Sequence, residues 1–357
     1  MPTHTKTIGT TGRDYSTLQA WEDDLDDGTN AANNTTGYVA GEDAVGEVYA
    51  DSTFTGSLVL TGGDVVGLNS VTLTVPVAER HDGTAGTGAK MTAGINIQES
   101  GTDEFVVEWI EIDLGGSGGP AITTNSSAFT KVPSIRNMLI HDQSGGSSFV
   151  GFTQSGARDC QVLNSIFYDN TRNTSLVVYG LALDSDRPDG GCFNNTVYNV
   201  ANAGSGDAYG ISINTDSVNA RARNNISMGT TSSTGTPKDF NFGGSTNLTS
   251  SNNLSGDDTA DDGGGSGHQI SKTVADQFVS TTGGSEDLHL KAGSEAIGNG
   301  VDLATTPSGV EIDINGRDRD AEGDTWDIGA HQTFSASAFQ AAWGANATTI
   351  AGVASGQ

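Results

Sequence analysis

The chain has 357 residues, with 16 basic against 44 acidic side chains, a formal net charge of −28 and 50 glycines. This charge repels phosphate backbones, so we expect no nucleic-acid partner, and no run approaches the ~18 apolar residues that a membrane span needs. Two cysteines, Cys160 and Cys192, are too few for a zinc site or a disulfide framework, and we expect both to fill the core unpaired. Abundant Gly, Ser, Thr and Asn between short aliphatic runs predict an all-β chain rich in turns.

The first segment, residues 1–45, predicts a cap on the β-structure that follows. Its opening lacks the apolar stretch of a secretory signal, so we expect a mature form or a protein that leaves its cell by another route. A helix is predicted over residues 15–25, because Leu18, Trp21 and Leu25 recur at three- and four-residue spacing. Such a helix would cover the open edge of the first strands.

From residue 46 to 332 a repeat organises the chain. An asparagine, one variable residue and an aliphatic residue recur at nearly regular intervals, at Asn137, Asn164, Asn195, Asn224 and Asn252. A short strand recurring about every 29 residues predicts a parallel β-helix of roughly eight coils, in which equivalent positions stack at ~4.8 Å. The asparagines would then hydrogen-bond one another along the stack. Chance recurrence in an asparagine-rich chain is the alternative.

Both ends of the chain resemble known β-helix proteins. The opening IGTTGRDYSTLQAWED, residues 8–23, resembles the start of pectate-lyase-like right-handed parallel β-helix proteins of tailed bacteriophages. Residues 288–300, with DINGR at 313–317 and DIGAH at 327–331, resemble the closing coil of bacterial parallel β-helix proteins. The resemblance implies an all-β, right-handed parallel β-helix and a homotrimer in a virion. It is specific for fold rather than function, because this fold hosts lyases, hydrolases, adhesins and virion proteins alike.

The last segment, residues 333–357, predicts a docking tail. Phe339, Trp343, Ile350 and Val353 lie in an otherwise small and polar sequence and can share one helical face. We expect this apolar tail to dock either onto the chain's own core or onto a partner.

Five aspartates are candidate site residues. Asp142 and Asp169 each lie five residues after a repeat asparagine, and Asp113 lies one repeat before Asp142. On neighbouring coils these three carboxylates would be about 5 Å apart, which is unfavourable unless a proton or cation intervenes. His141 and Arg136 would lie nearby. They predict a Ca²⁺ site or a carboxylate pair for glycoside cleavage, or else three solvated turn residues. Asp318 and Asp320 begin a partial match to a calcium loop, or a turn that closes the last coil.

These observations lead us to expect a non-enzymatic structural protein of a tailed-phage virion, first of all a capsid decoration protein, with other capsid or tail proteins as partners. Catalysis stays open: the alternative is a tailspike-like protein that binds bacterial surface glycan or cleaves it as a hydrolase or lyase, with Asp142 and Asp169 as catalytic candidates. A secreted adhesin is a third possibility. With only 16 basic residues, a groove for acidic sugars is hard to assemble, which counts against pectate-lyase activity. No cofactor is expected apart from calcium.

Overall fold

The computed structural model describes most of the chain. The described residues are 2–26, 38–63, 66–98, 104–116, 119–124, 131–144, 149–154, 160–183, 190–213, 220–243, 248–320 and 325–333, with the backbone alone at residues 26, 149 and 150.

These residues form strands and turns almost throughout. The strands are, in chain order, β1 (Thr3–Ile8), β2 (Asp43–Val48), β3 (Thr53–Phe54), β4 (Leu58–Leu60), β5 (Ser70–Thr74), β6 (Lys90–Met91), β7 (Ile95–Ile97), β8 (Glu104–Glu108), β9 (Glu111–Asp113), β10 (Ile122–Thr124), β11 (Ser134–Arg136), β12 (Leu139–Ser144), β13 (Phe149–Gln154), β14 (Gln161–Leu163), β15 (Ile166–Arg172), β16 (Val178–Leu183), β17 (Gly191–Phe193), β18 (Thr196–Asn202), β19 (Ala208–Ile213), β20 (Arg221–Arg223), β21 (Ile226–Met228), β22 (Thr231–Ser232), β23 (Pro237–Asn241), β24 (Thr249–Ser251), β25 (Leu254–Ser255), β26 (Phe278–Thr282) and β27 (Ser285–Leu290). The helices are α1 (Leu18–Asp26) and α2 (Val274–Gln277), with single 3₁₀ turns at Val77–Glu79 and Thr259–Asp261.

Three parallel sheets wrap the chain into a solenoid, which confirms the predicted parallel β-helix. Sheet A joins β1, β2, β5, β8, β11, β14, β17, β20 and β24; sheet B joins β3, β6, β9, β12, β15, β18, β21 and β25, with β22 beside β18; sheet C joins β4, β7, β10, β13, β16, β19 and β23. Residues 27 to 30 apart are neighbours across the central coils of sheet A, as in the register Val107, Ile135, Val162, Cys192 and Ala222. Since sheet C holds seven strands, the described chain has seven coils with a strand in every sheet, where roughly eight were expected.

The interior of the solenoid is filled by columns of aliphatic and aromatic side chains. On sheet B one column runs through four neighbouring strands and is buried throughout, at Ile112, Ile140, Phe167 and Val197. Both cysteines lie in the same core as free thiols, as predicted. The strand residues on either side of an inward residue face outward, so each sheet has a second face available for other contacts.

The corner between sheets A and B carries two adjacent columns of asparagines, where the sequence pattern suggested one. In the first column the backbone is left-handed, with φ between 49° and 57° at Asn137, Asn164, Asn194, Asn224 and Asn252. After glycine, asparagine is among the residues that adopt this conformation most readily, which explains its recurrence at the corner. The predicted member Asn195 lies one position further on, so the pattern mixed two columns.

The second column forms the hydrogen-bonded ladder. Asn195 Nδ2 donates to Asn225 Oδ1, and Asn225 Nδ2 donates to Asn253 Oδ1, each over 3.1 Å. The backbone N–H groups of Asn195 and Asn225 also donate to the amide oxygen of the next coil. All three side chains are fully buried, so the ladder pairs polar groups that would otherwise be costly to bury.

The N-terminal segment closes one end of the solenoid. Strand β1 pairs in parallel with β2, so sheet A begins before residue 46, and the helix expected over residues 15–25 is observed as α1. Trp21 of α1 is fully buried and donates through Nε1 to the Tyr38 hydroxyl at 2.8 Å. A Cβ at Gly46 would lie 2.6 Å from the Trp21 ring, so the missing side chain lets the indole pack on β2.

The C-terminal region differs from the predicted closing coil. Sheets A and B end at β24 and β25, which receive only single parallel bridges from Ser266 and Gln269. The chain then forms the antiparallel hairpin β26–β27 and an irregular stretch. We call residues 278–320 and 325–333 the strap. Among the described residues, no helix is both long and apolar enough to cross a bilayer.

The strap packs on the outside of the solenoid. Its apolar residues, such as Leu288 and Ile314, join outward residues of sheet B, such as Leu139, in one buried cluster. A second cluster places Trp326 and other strap residues on Phe193 of sheet A. The strap therefore covers part of the outer face of two sheets.

The left-handed asparagines hold the strap backbone. Each donates its side-chain amide to a strap carbonyl, namely Asn137 to Asp313 (2.8 Å), Asn164 to Gly309 (2.9 Å), Asn194 to Val310 (3.0 Å), Asn224 to Val301 (2.8 Å) and Asn252 to Asn299 (2.8 Å). From the first to the last of these coils, the acceptors move back from residue 313 to 299. The strap thus runs along the corner against the direction in which the coils stack.

Candidate functional site

Five ionisable side chains meet on the outer face of sheet B. They come from the neighbouring strands β6, β9 and β12 and are Lys90, Glu111, Asp113, His141 and Asp142; we call them the acid–histidine cluster. Lys90 is in register with Glu111, and Asp113 with His141. Because alternate strand residues share a face, Glu111 and Asp113 point the same way while the residue between them fills the core.

The predicted aspartate stack is one residue out of register at Asp113, which lies opposite His141 rather than Asp142. Asp142 and Asp169 occupy equivalent positions, since the residues on both sides of each are paired. Both have left-handed backbone, with φ of 54° and 53°, and Asn199 continues the column with φ of 55°. The error arises because these two coils are 28 residues apart, as the pair Glu111 and Leu139 shows, whereas Asp113 and Asp142 are separated by 29 residues.

His141 is hydrogen-bonded through both ring nitrogens. Nδ1 lies 2.9 Å from Asp142 Oδ2, and Nε2 lies 3.1 Å from Glu111 Oε1. The ring is 2% exposed and stacks on Tyr168 with centroids 5.0 Å apart. Burial lowers the pKa of His141, but the bonds to Glu111 and Asp142 outweigh burial, so the pKa lies above its usual value. The arrangement is that of an imidazolium held between two carboxylates.

Lys90 neutralises the other side of the cluster. Its Nζ lies 2.7 Å from Asp113 Oδ2 and 3.4 Å from Glu111 Oε1. Burial raises the pKa values of Asp113 and Glu111, yet the bonds from Lys90 and His141 respectively outweigh it and hold both below their usual values. The Gly86 N–H also donates to Glu111 Oε2 at 2.8 Å, so both oxygens of Glu111 are engaged.

Asp169 belongs to a separate pair that joins sheet B to the strap. Its Oδ1 accepts from Asn199 Nδ2 at 2.6 Å, and its carboxyl group hydrogen-bonds that of Glu286 on β27. Burial, and then the bond with Asp169, raise the pKa of Glu286. Two carboxyl groups in contact favour a shared proton or a cation between them, which is the situation that the sequence predicted for stacked aspartates.

The cluster could serve either of two chemistries. Asp113, His141 and Asp142 each offer one ligand atom, and these atoms lie within 4.8 Å of one another, so oxygen and imidazole donors for a cation are close together. The same carboxylates could act as an acid–base pair. A cation would have to displace the Lys90 ammonium from Asp113 and take the place of a proton on His141. Calcium binding by Asp113, Asp142 and Asp169 stays a prediction.

The other predicted site residues do not join the cluster. Asp318 Oδ1 accepts from the Asp320 N–H, and Asp320 Oδ1 accepts from Trp326 Nε1, both at 2.9 Å. These contacts form a turn of the strap, and residues 321–324 of the expected calcium loop lie outside the described residues. Four docking candidates also lie outside them: Phe339, Trp343, Ile350 and Val353.

Sequence reasoning missed two members of the cluster. Glu111 precedes Asp113 by two residues on a strand, so period-two alternation could have placed both on one face. Lys90 gave no such signal, because the coil that separates it from Glu111 is shorter than the repeat.

Comparison of the chain with known proteins identifies no family. No protein-family model matches the chain, and no curated protein matches it.

Proposed function

We propose that the chain is a non-enzymatic structural protein exposed on a tailed-phage particle, with the capsid surface as its first location and the tail as its second. In this role it is a homotrimeric, acidic rod whose partners are other virion proteins. One observation carries the non-enzymatic part: in the most enzyme-like cluster, both nitrogens of His141 and the ammonium of Lys90 are already engaged by carboxylates. Such a cluster links neighbouring coils, whereas an acid–base site needs groups that are open to a substrate.

The phage assignment rests on the resemblance of the opening segment. Its residues build the N-terminal cap: Asp14 accepts from the backbone and hydroxyl of Thr7 at 2.8 Å, and a Cβ at Gly9 would lie 2.5 Å from Asp51 Oδ1. Because these residues form the end of the solenoid, they carry information about the fold rather than about a substrate.

The test is the protein's presence in native particles. Antibodies raised against the full chain should label purified virions by immunogold electron microscopy, and quantitative mass spectrometry should find the chain in a fixed ratio to the major capsid protein. Label over the head supports decoration, and label on the tail supports the second location. Absence from particles that contain every other structural protein would overturn the proposal.

A second candidate function is binding or cleavage of bacterial surface glycan. The observation that favours it is the approach of Asp113 and Asp142 to within 4.8 Å on an outward face, close to the ~5–5.5 Å separation of carboxyl groups in retaining glycosidases. In this mechanism His141 holds Asp142 in place, and Lys90 keeps Asp113 ionised as the nucleophile. The other catalytic candidate, Asp169, lies one coil further on.

Glycan cleavage can be tested with three asparagine variants. The full chain is incubated with envelope polysaccharide, and new reducing ends are counted for wild type, Asp113→Asn, Asp142→Asn and the control Asp258→Asn, an exposed aspartate outside the cluster. Activity that is lost in the first two variants and kept in the third supports an enzyme. No activity with wild type, or equal activity in all four proteins, contradicts it.

A further inference from the structure

A polar cavity of about 290 Å³ lies between the outer face of sheet A and the strap. Its walls include two arginines, Arg80 and Arg136, and two glutamates, Glu108 and Glu311. The volume falls near the lower end of the range for small-molecule sites, about 300 Å³. Since only 16 side chains of the protein are basic, two guanidinium groups in one cavity form a local exception to its acidic surface.

Arg80 is fixed in place yet keeps donors for a ligand. Its Nε donates to the Val75 carbonyl at 3.0 Å, and its guanidinium carbon lies 4.3 Å from the ring centroid of Trp109. Among the described residues, its two terminal amino groups have no acceptor within hydrogen-bonding distance. A guanidinium that is held flat presents a planar fork of donors, which matches the two oxygens of a carboxylate.

Arg136 is held between sheet A and the strap. Its Nε donates to Glu108 Oε2 at 2.6 Å, and its Nη1 donates to the Ser308 carbonyl of the strap at 3.2 Å. The neighbouring Gly309 has φ of +87°, and a Cβ there would clash with Arg136 Nη1. The strap therefore has a glycine where the guanidinium approaches it, and Glu108 is neutralised by the ion pair.

Glu311 needs a hydrogen-bond donor, whereas Arg80 needs an acceptor. Its Oε2 is buried and has no hydrogen-bond partner among the described residues, so it requires a donor such as a hydroxyl group. The cavity thus needs an anionic acceptor at Arg80 and a donor at Glu311. A dianion such as sulfate or phosphate would meet two glutamates with excess negative charge, whereas a singly charged carboxylate that carries hydroxyl groups satisfies both ends.

We propose that this cavity binds a small hydroxycarboxylate, with its carboxylate on the terminal N–H groups of Arg80 and a hydroxyl on the carboxylate of Glu311. The ligand is a free hydroxy acid or an acidic sugar unit, which share this chemistry. The inference does not depend on the function proposed above, because it concerns equilibrium binding at sheet A, whereas the acid–histidine cluster lies on sheet B.

Isothermal titration of the full chain with four probes tests the proposal at constant ionic strength. Gluconate and glucuronate carry a carboxylate and hydroxyl groups, glucose carries hydroxyl groups alone, and propionate carries a carboxylate alone. We expect saturable binding of gluconate, glucuronate or both, at least about tenfold tighter than of glucose or propionate, since a missing partner leaves a buried group unpaired. Binding of gluconate alone identifies the open-chain acid, and binding of glucuronate alone identifies the ring form. No saturable binding of either acid, or equal binding of all four probes, would refute the proposal.

Two variants and a control locate the site. Arg80→Lys keeps the charge but loses the planar fork, and Glu311→Gln keeps the shape but replaces a carboxyl oxygen; each should weaken binding by about tenfold. The control is Arg13→Gln, because Arg13 also stacks on an aromatic ring, that of Tyr49, but lies at the N-terminal cap. Circular dichroism checks that each variant is folded. If the cavity variants that fold bind with unchanged affinity, or if the control loses as much affinity as they do, the ligand binds elsewhere and the assignment is overturned.

Discussion

Two buried asparagines provide a matched test of what holds the solenoid together. Asn225 and Asn170 are both fully buried. Asn225 Oδ1 accepts from the backbone and side chain of Asn195, and Asn225 Nδ2 donates to Asn253 Oδ1 and to the Cys192 carbonyl. Neither amide atom of Asn170 has a partner among the described residues. The near-isosteric changes Asn225→Leu and Asn170→Leu should therefore have very different costs.

The expected magnitudes follow from the groups that each change leaves unpaired. Asn225→Leu removes the acceptor of two buried N–H groups of Asn195, the backbone N–H and one N–H of Nδ2, whose other N–H keeps its bond to the Val162 carbonyl. At about 1–3 kcal/mol for each group, we expect the free energy of unfolding to fall by roughly 3 kcal/mol. In a chain of 357 residues that lowers the thermal midpoint by about 4 °C. Asn170→Leu removes a polar group that has no partner, so we expect a change within about 0.5 kcal/mol or a slight gain. One coil further on, the same column already holds an apolar residue, Val200.

Thermal unfolding followed by circular dichroism measures both midpoints under one set of conditions. The two leucine variants control for each other, because they remove the same amide from equally buried positions. If the midpoint falls equally in both variants, or further in Asn170→Leu, then the hydrogen bonds of the ladder are not what distinguishes the two sites and the reasoning fails.

Three further predictions concern pH and the strap. Its carboxylate partners raise the pKa of His141 above 6.5, so the stability that His141 contributes is fully present below pH 6.5 and is lost as pH rises through the folded-state pKa. His141→Gln should therefore flatten the fall of the thermal midpoint on the alkaline side, and an unchanged alkaline fall would contradict this. Burial lowers the pKa of His331 from 6.5 to about 3, so stability present above pH 6.5 is lost as pH falls towards 3, and His331→Asn should flatten this acid limb in the same measurement. Asn194→Gly keeps the left-handed backbone but removes the amide that binds the strap, so limited proteolysis should cut the strap several times faster than in the control Asn199→Gly. Asn199 is also left-handed, but its amide binds Asp169 instead of the strap. Equal cutting in the two variants would show that the amide of Asn194 does not secure the strap.

The sequence by itself determined the class of fold and the approximate repeat. Short aliphatic strands about 29 residues apart, broken by glycine and asparagine, admit few arrangements other than stacked parallel coils. The helix that caps the first coil was also visible, because its apolar residues repeat at helical spacing. These features are local or strictly periodic, so they can be read along the chain.

Register and long-range docking were decided only by the tertiary structure. Counting residues placed Asn195 and Asp113 one position wrong, because coils differ by a few residues and a shift of one residue turns a side chain to the opposite face. The strap could not be foreseen at all: Asn137 binds the carbonyl of Asp313, far along the chain, and nothing periodic links them. The strap brings Glu286 to Asp169 and places Glu311 in the arginine-lined cavity, so two of the charged groupings on this protein arise from packing that the local pattern does not contain.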